Sequence, residues 1–335
     1  MTRIYLYRIV RITTCICVIC ILFYLYLPKR NNLIDNMNTT VGSNHVDVLL
    51  VGSSHIEVGL NPIQMFRDYG QATYSVNIGA QAPWQSYYYI KQACRNQSPS
   101  LIILDTYMMG TVQEDDDYED YSAVNNLLDT PLSFDKVQAV MNSHADSRLD
   151  ILLRFPYIYS DYDLFEGLSS DKFFGLHNPS MGYHYDIDIE AYSKQIEPLR
   201  TKESVALSPR NEKFLQKIIS YCNKKGIKLI LINAPSMVID NERQKYFNYI
   251  ADVATEYGIP FIDGNLYLDE IGIDWETDTS DGGGHLNHSG VTKFTIFVEN
   301  TIGETCNLPD RRNCENYKVY YDGVEWLDEQ VALDK

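Results

Sequence analysis

Val46–Pro62, VDVLLVGSSHIEVGLNP, decides the fold. An apolar run ends in Gly52-Ser53-Ser54-His55, and Asn61-Pro62 follows. An uninterrupted apolar stretch of this length reads as a strand buried on both faces, as in a parallel sheet. Such a strand delivers Ser54 to a strand–loop–helix junction. Pro62 suits the first turn of a helix over Pro62–Tyr69. Outward from there, strand-like and helical patterns alternate. Tyr74–Gly79 reads as a strand, Trp84–Cys94 as a helix and Leu101–Asp105 as a strand. The pattern resumes with helix Glu212–Lys225, strand Ile227–Asn233, helix Arg243–Tyr257, strand Ile259–Asp263 and helix Ser289–Ile302, with Ser289 as its expected N-cap. Strands separated by helices imply parallel pairing with right-handed crossovers.

Residues 106–209 interrupt this alternation. They hold nine tyrosines between Tyr107 and Tyr192 and an acidic cluster at Glu114–Asp120. They read as an insertion capping the carboxyl ends of the strands, with helices near 135–155. The tyrosines suit either sugar stacking or ordinary packing. Residues 303–335 read as a polar extension whose aromatics, Tyr317, Tyr320, Tyr321 and Trp326, fold back on the domain.

Residues 1–30 read as a transmembrane helix, an uncleaved signal anchor. Ile12–Leu27 is uncharged and, extended back to Ile4, reaches the roughly 20 residues that span a bilayer. Three arginines precede the span, which favours a cytoplasmic N-terminus and an extracytoplasmic domain. No small-x-small site follows it for signal-peptide cleavage. The polar residues 31–45 read as a linker. The net charge is −17, and residues 1–30 carry five cations and no acid, so the remainder carries −22. A domain that acidic repels phosphate backbones, so no nucleic-acid partner is expected. No cysteine–histidine spacing marks a zinc site, and no metal or other cofactor is expected. Cys306 and Cys314 are close enough in sequence for a local disulfide.

A second block gives Ser54 a role. Asp278–Gly290, DTSDGGGHLNHSG, places Asp281 four residues before His285 in a glycine-rich loop. A serine nucleophile requires a base to take its proton, and the base requires a carboxylate to hold its tautomer. Asp281 and His285 supply that pair. His55, beside the nucleophile, is a candidate substrate contact or, equally, a residue held by a local loop hydrogen bond. His285, His288 and Asp281 as metal ligands form a weaker alternative.

Gly52-Ser53-Ser54-His55 with Asn61-Pro62, Asn77-Ile78-Gly79 and the terminal Asp–His–Leu–Asn block resemble the SGNH/GDSL hydrolase superfamily. The closer resemblance is to its membrane-anchored bacterial branch, found among cell-surface polysaccharide and teichoic-acid modification proteins. It covers residues 46–105 and 210–302. It implies an α/β fold, a flavodoxin-like three-layer α/β/α sandwich with a parallel sheet and a middle insertion. It implies Ser54 as nucleophile, His285 as base, Asp281 as orienting acid, and the N–H groups of Ser54 and Gly79 as oxyanion donors. Asn287, from the terminal block, is a further candidate substrate contact. The implied activity is that of an esterase or O-acyltransferase on O-acyl, chiefly acetyl, groups of cell-envelope glycans. A transferase would draw on a multispanning acyl-donor partner. Three features depart from the pattern: three residues lie between Asp281 and His285 where the family has two, which leaves Asp278 as the alternative acid, and two residues differ. Ser53 stands where many members have Asp. Asp105 ends the third strand where the family carries an oxyanion-binding Asn, and Asn233 is a weak substitute. The departure at Asp105 motivates the alternative of a catalytically impaired glycan-binding or assembly protein.

Overall fold

The computed structural model describes residues 2–25, 33–113, 126–154 except 129, 131, 144 and 147, and 175–334. Helix α1 (Thr2–Leu25) is long and apolar enough to cross a membrane; its Ile4–Ile21 window has a mean hydropathy of 1.9 and no buried residue. Helix α2 (Leu33–Val41) leads to β1 (Val48–Gly52), the one-turn α3 (Ser54–Glu57) and α4 (Pro62–Tyr69). Then come β2 (Thr73–Asn77), α5 (Pro83–Ala93), β3 (Leu101–Asp105) and α6 (Tyr107–Thr111). The insertion contributes α7 (Phe134–Asn142) and α8 (Arg148–Leu153). The alternation closes with α9 (Pro209–Lys225), β4 (Lys228–Asn233), α10 (Asn241–Tyr257), β5 (Phe261–Asp263), α11 (Leu268–Ile271), α12 (His288–Thr305) and α13 (Val319–Leu333).

The five strands form one parallel sheet in the order β2-β1-β3-β4-β5, the flavodoxin-like order. β1, β2 and β3 are buried along their whole length, and β4 beyond Lys228, because helices cover both faces. The step from β1 to β2 runs opposite to every later step. Right-handed crossovers therefore put α4 on one face and α5, α9 and α10 on the other. α12 and α13 pack beside α4, and α9 packs beside α5, completing three layers. Local chemistry fixes the ends. Asn61 caps α4 by accepting from the Ile63 and Gln64 N–H groups, and Gly70, at φ 74°, closes it.

Residues 33–45, the described part of the expected linker 31–45, are not a free tether. Ile34, Met37 and Val41 make a short apolar stripe that buries α2 in the core, and Gln97 Nε2 donates to Asn38 Oδ1 and the Gly42 carbonyl. The C-terminal extension is equally integral. Tyr317 and Tyr320 are buried, Tyr320 stacks on Phe66, and its hydroxyl donates to the His45 carbonyl. Arg311 forks onto Asp47 at 2.7 and 2.8 Å. Cys306 and Cys314 are both free thiols, so the local disulfide is not formed.

The described residues of the insertion beyond α6 fall into two parts. α7 and α8 pack with Trp84, Tyr88 and Phe214 on the flank of α5 and α9, not over the strand ends. A strap, residues 175–208, does cross the carboxyl side. Its carbonyls accept from Ser75 N–H at the β2 edge (Met181) and from Asn77 Nδ2 (Gly182). Farther on, Glu190 N–H donates to the Thr279 carbonyl and Tyr192 N–H to that of Trp275. The acidic cluster Glu114–Asp120 and five of the nine tyrosines (Tyr118, Tyr121, Tyr157, Tyr159 and Tyr162) lie outside the described residues.

Candidate active site

β1 ends at Gly52, and Ser54 opens α3 just past the sheet's carboxyl edge, where parallel sheets present ligand sites. The Ser54 hydroxyl lies 2.9 Å from His285 Nε2. His285 Nδ1 lies 2.6 Å from Asp281 Oδ2, and Asp281 Oδ1 accepts the His285 N–H at 2.7 Å. One carboxylate thus holds both the ring and the backbone of the histidine. Burial pushes the Asp281 carboxyl up. The His285 ring and N–H, the His285 charge and the Gly284 N–H outweigh that and keep it below the usual carboxylate range.

The glycine-rich loop makes this geometry accessible. Gly282 and Gly283 have φ of 71° and 98°, which side chains other than glycine resist. A Cβ on Gly284 would come within 2.8 Å of Asp281 Oδ2. The loop is cradled from β4: Met237 N–H donates to the Gly283 carbonyl and the Ser236 hydroxyl to that of Gly284. Neither Ser236 nor Met237 stands out in the sequence.

Asp278 is not at the relay. It is buried, accepts from Asp274 N–H, and pairs with Lys293 at 2.5 Å, away from the His285 ring nitrogens. It fastens the loop to α12, and the acid beside His285 is Asp281. Asn287, a candidate substrate contact, is buried and fully engaged. Its Oδ1 caps α12 by accepting from Ser289 and Gly290 N–H, and its Nδ2 donates to the Thr277 and Asp188 carbonyls. The expected cap Ser289 is thus one of the capped residues. His288 bonds Tyr183 through Nδ1, 2.9 Å from the hydroxyl.

His55 is likewise buried rather than presented to a substrate. Its ring stacks on Tyr107, centroids 3.3 Å apart, and on His285 at 4.6 Å. Burial, and then the charge of His285, hold its pKa well below the ordinary value, so it stays neutral. His55 is the floor under the His285 ring.

Asp105 has a structural task. Its Oδ2 accepts from the Ser53 hydroxyl at 2.7 Å and the Ser53 N–H at 3.1 Å, and its Oδ1 accepts from Tyr107 N–H at 2.9 Å. Burial pushes its carboxyl up against those three bonds and the nearby His285. Gly52 makes room for it, since a Cβ there would overlap the Asp105 Cβ. Asn233 is no oxyanion donor: its Nδ2 donates to Asp263 at 3.0 Å.

The Ser54 N–H, at the first position of α3, has no acceptor among the described residues. The same holds for the N–H of Gly79, on the exposed turn after β2. β1 and β2 end in register, Gly52 opposite Asn77, so both free donors lie at the same sheet edge. Glu57, on α3, is pushed up by burial against the nearby His184 and His285.

Fold and site together define an α/β protein of flavodoxin-like strand order with a Ser–His–Asp relay at the carboxyl edge of its sheet. Among solved structures it is similar to a candidate acylhydrolase from Bacteroides fragilis NCTC 9343, at 15% identity and a TM-score of 0.39 over 84% of this chain and 93% of that one. It is also similar to a GDSL-like lipase from Bacteroides thetaiotaomicron VPI-5482, at 11% identity and a TM-score of 0.37 over 77% and 88%. No protein-family model matches the chain, and no curated protein matches it. At these scores the likeness carries no argument about chemistry, which rests on the geometry above.

Proposed function

We propose that this chain is a serine ester hydrolase or O-acyltransferase, anchored by α1 with its domain outside the cytoplasm, acting on O-acyl groups of envelope glycans. The observation that carries the reading is the continuous Ser54–His285–Asp281 relay. His285 Nε2 takes the Ser54 proton as Oγ attacks the ester carbonyl. The carbonyl's electron pair moves to its oxygen, for which the free N–H groups of Ser54 and Gly79, at the same sheet edge, are the proposed donors. Collapse expels the alcohol, protonated by His285, and leaves an acyl-serine. Water, or a sugar hydroxyl, then attacks that ester with His285 again as base, freeing Ser54. Asp281 stabilises the imidazolium that forms in each half. The acetyl group and the glycan are proposed from the resemblance of the motifs and from the anchor-like helix. A transferase would require an acyl donor, and a multispanning partner is the proposed source.

The alternative of an impaired, non-catalytic binder drew on Asp105. Its carboxylate is engaged by three donors around Ser53 and Tyr107, which supports the catalytic reading. The test uses the full chain in non-ionic detergent, with a fluorophosphonate probe and a chromogenic acetyl ester. Labelling at Ser54 and ester turnover, both lost in Ser54→Ala and cut by 10³-fold or more in His285→Ala, are expected. A folded protein that neither labels nor turns over would sink the proposal.

A further inference from the structure

Away from Ser54, a groove of about 580 Å³ runs between α5 and α9. Lys91, Lys217, Lys224 and Lys225 line it, with Tyr87 and Tyr221. This is a concentration of cations on a chain of net charge −17. Lys91 pairs with Asp135, which also takes Arg95. Lys213, Lys217, Lys224 and Lys225 have no carboxylate within ion-pair distance among the described residues. Lys217 is half-buried. Its ammonium lies over the rings of Phe214, at 4.8 Å, and Tyr87, at 5.4 Å. Burial, then the charges of Lys213 and Lys91, push its pKa down. Folding alone offers no reason to crowd these like charges together.

Their arrangement is linear. Lys213, Lys217 and Lys224 fall on one side of α9, with rises of about 6 Å and then about 10 Å along the axis. A single phosphate or carboxylate would engage one end of such a row, whereas a chain of regularly spaced anions engages all of it. The Tyr221 hydroxyl is bonded to Cys94, which fixes the ring at the groove wall, and Tyr87 faces Tyr221 edge-on at 6.4 Å. Ring faces beside ammonium groups suit sugar rings bearing acidic substituents. Lys217, Lys224 and Lys225 line this open groove, and Lys213 lies one turn beyond them on α9. The remaining acidity of the domain repels a polyanion everywhere else, and beyond about 8 Å that repulsion is screened at physiological ionic strength.

We propose that the groove between α5 and α9 binds a linear anionic glycan, with carboxylate- or phosphate-bearing repeats laid along Lys217 and Lys224 and reaching Lys213 one turn beyond the groove. The Lys91 and Lys224–Lys225 end of the groove lies toward the amino ends of β3 and β4, away from Ser54, so binding does not rest on the reading of Ser54. The probe is an oligogalacturonide of about eight units, titrated into the full chain in detergent, with a fully methyl-esterified oligomer as the uncharged control. Saturable binding of the acid form alone is expected. It should weaken roughly 50-fold between 50 and 200 mM salt if four cations are neutralised. Lys217→Gln/Lys224→Gln/Lys225→Gln should lose at least tenfold in affinity with an unchanged melting temperature, while Ser54→Ala binds normally. Lys213→Glu, at an exposed side chain, provides a second variant with the same expectation. Three results would overturn the proposal: no binding of the oligogalacturonide or of a linear polyphosphate, binding unchanged in both variants, or tighter binding to an oligonucleotide or to phosphatidylglycerol vesicles.

Discussion

Ser53 and Asp105 lie 52 residues apart and meet across the ends of neighbouring strands, hydroxyl to carboxylate at 2.7 Å. The same carboxylate oxygen accepts the Ser53 N–H, so Asp105 fixes the backbone immediately before Ser54. Asp105→Asn replaces an acceptor by a donor facing one of these groups. Fluorophosphonate labelling of Ser54 is expected to slow by tenfold or more, and the fold to lose about 1–3 kcal/mol in denaturant titration. Labelling at the parental rate would remove the positioning role.

The stack beneath His285 predicts a split between two substitutions. His55→Phe keeps a flat ring between Tyr107 and His285 and is expected to label within a fewfold of the parent. His55→Ala opens a cavity beneath the base, costs about 3 kcal/mol and slows labelling by at least tenfold. Equal labelling of the two folded variants would mean that the ring does not hold His285.

Two acids, three residues apart, are separated by their partners. Asp281→Asn removes the acceptor for His285 Nδ1–H and is expected to lower ester turnover by about 10³- to 10⁴-fold with little loss of stability. Gly284→Ala, which crowds the Asp281 carboxylate, should fall in the same direction by a smaller factor. Asp278→Asn breaks a buried pair with Lys293, so its loss should appear in melting temperature and not in turnover by the folded fraction. The reverse pattern would transfer the acid's role to Asp278.

Glu299, buried on α12 against Gln71 Nε2 at 2.7 Å, is pushed up to about 8 by burial. Its unfolded value lies near 4.5. Between those values the folded state binds more protons than the unfolded state, so this group makes stability fall as pH rises from about 4.5 through about 8. Glu299→Gln should flatten that decline and be the more stable protein at pH 8, as read from denaturation midpoints across pH. An unchanged slope would show that Glu299 does not titrate in this window.

The sheet was legible because LIILD and IKLILIN are apolar runs that only a doubly covered strand explains. The meeting of Ser54 with His285 was legible because each block carries its own chemistry and both end at the same sheet edge. Spacing did not separate Asp278 from Asp281, because the deciding difference is Lys293, which lies on the following helix. His55 and Asn287 read as substrate contacts since both adjoin key residues, but burial is a property of the packed fold and is not written in local sequence. Asp105 read as an obstacle because its position was compared and its partner, Ser53, was not. α2 was missed because Ile34, Met37 and Val41 are few and stand among polar residues.

The burial of α2 shortens the leash. Between the end of α1 at Leu25 and Leu33 there are only seven residues, which even fully extended reach roughly 30 Å. Were α1 seated in a bilayer, as proposed, the domain would be confined to a shell about one molecule deep. Esters carried farther out would come into range only as their polymer sways back or as new material emerges at the membrane. The anchor would then select by location as well as hold the protein in place.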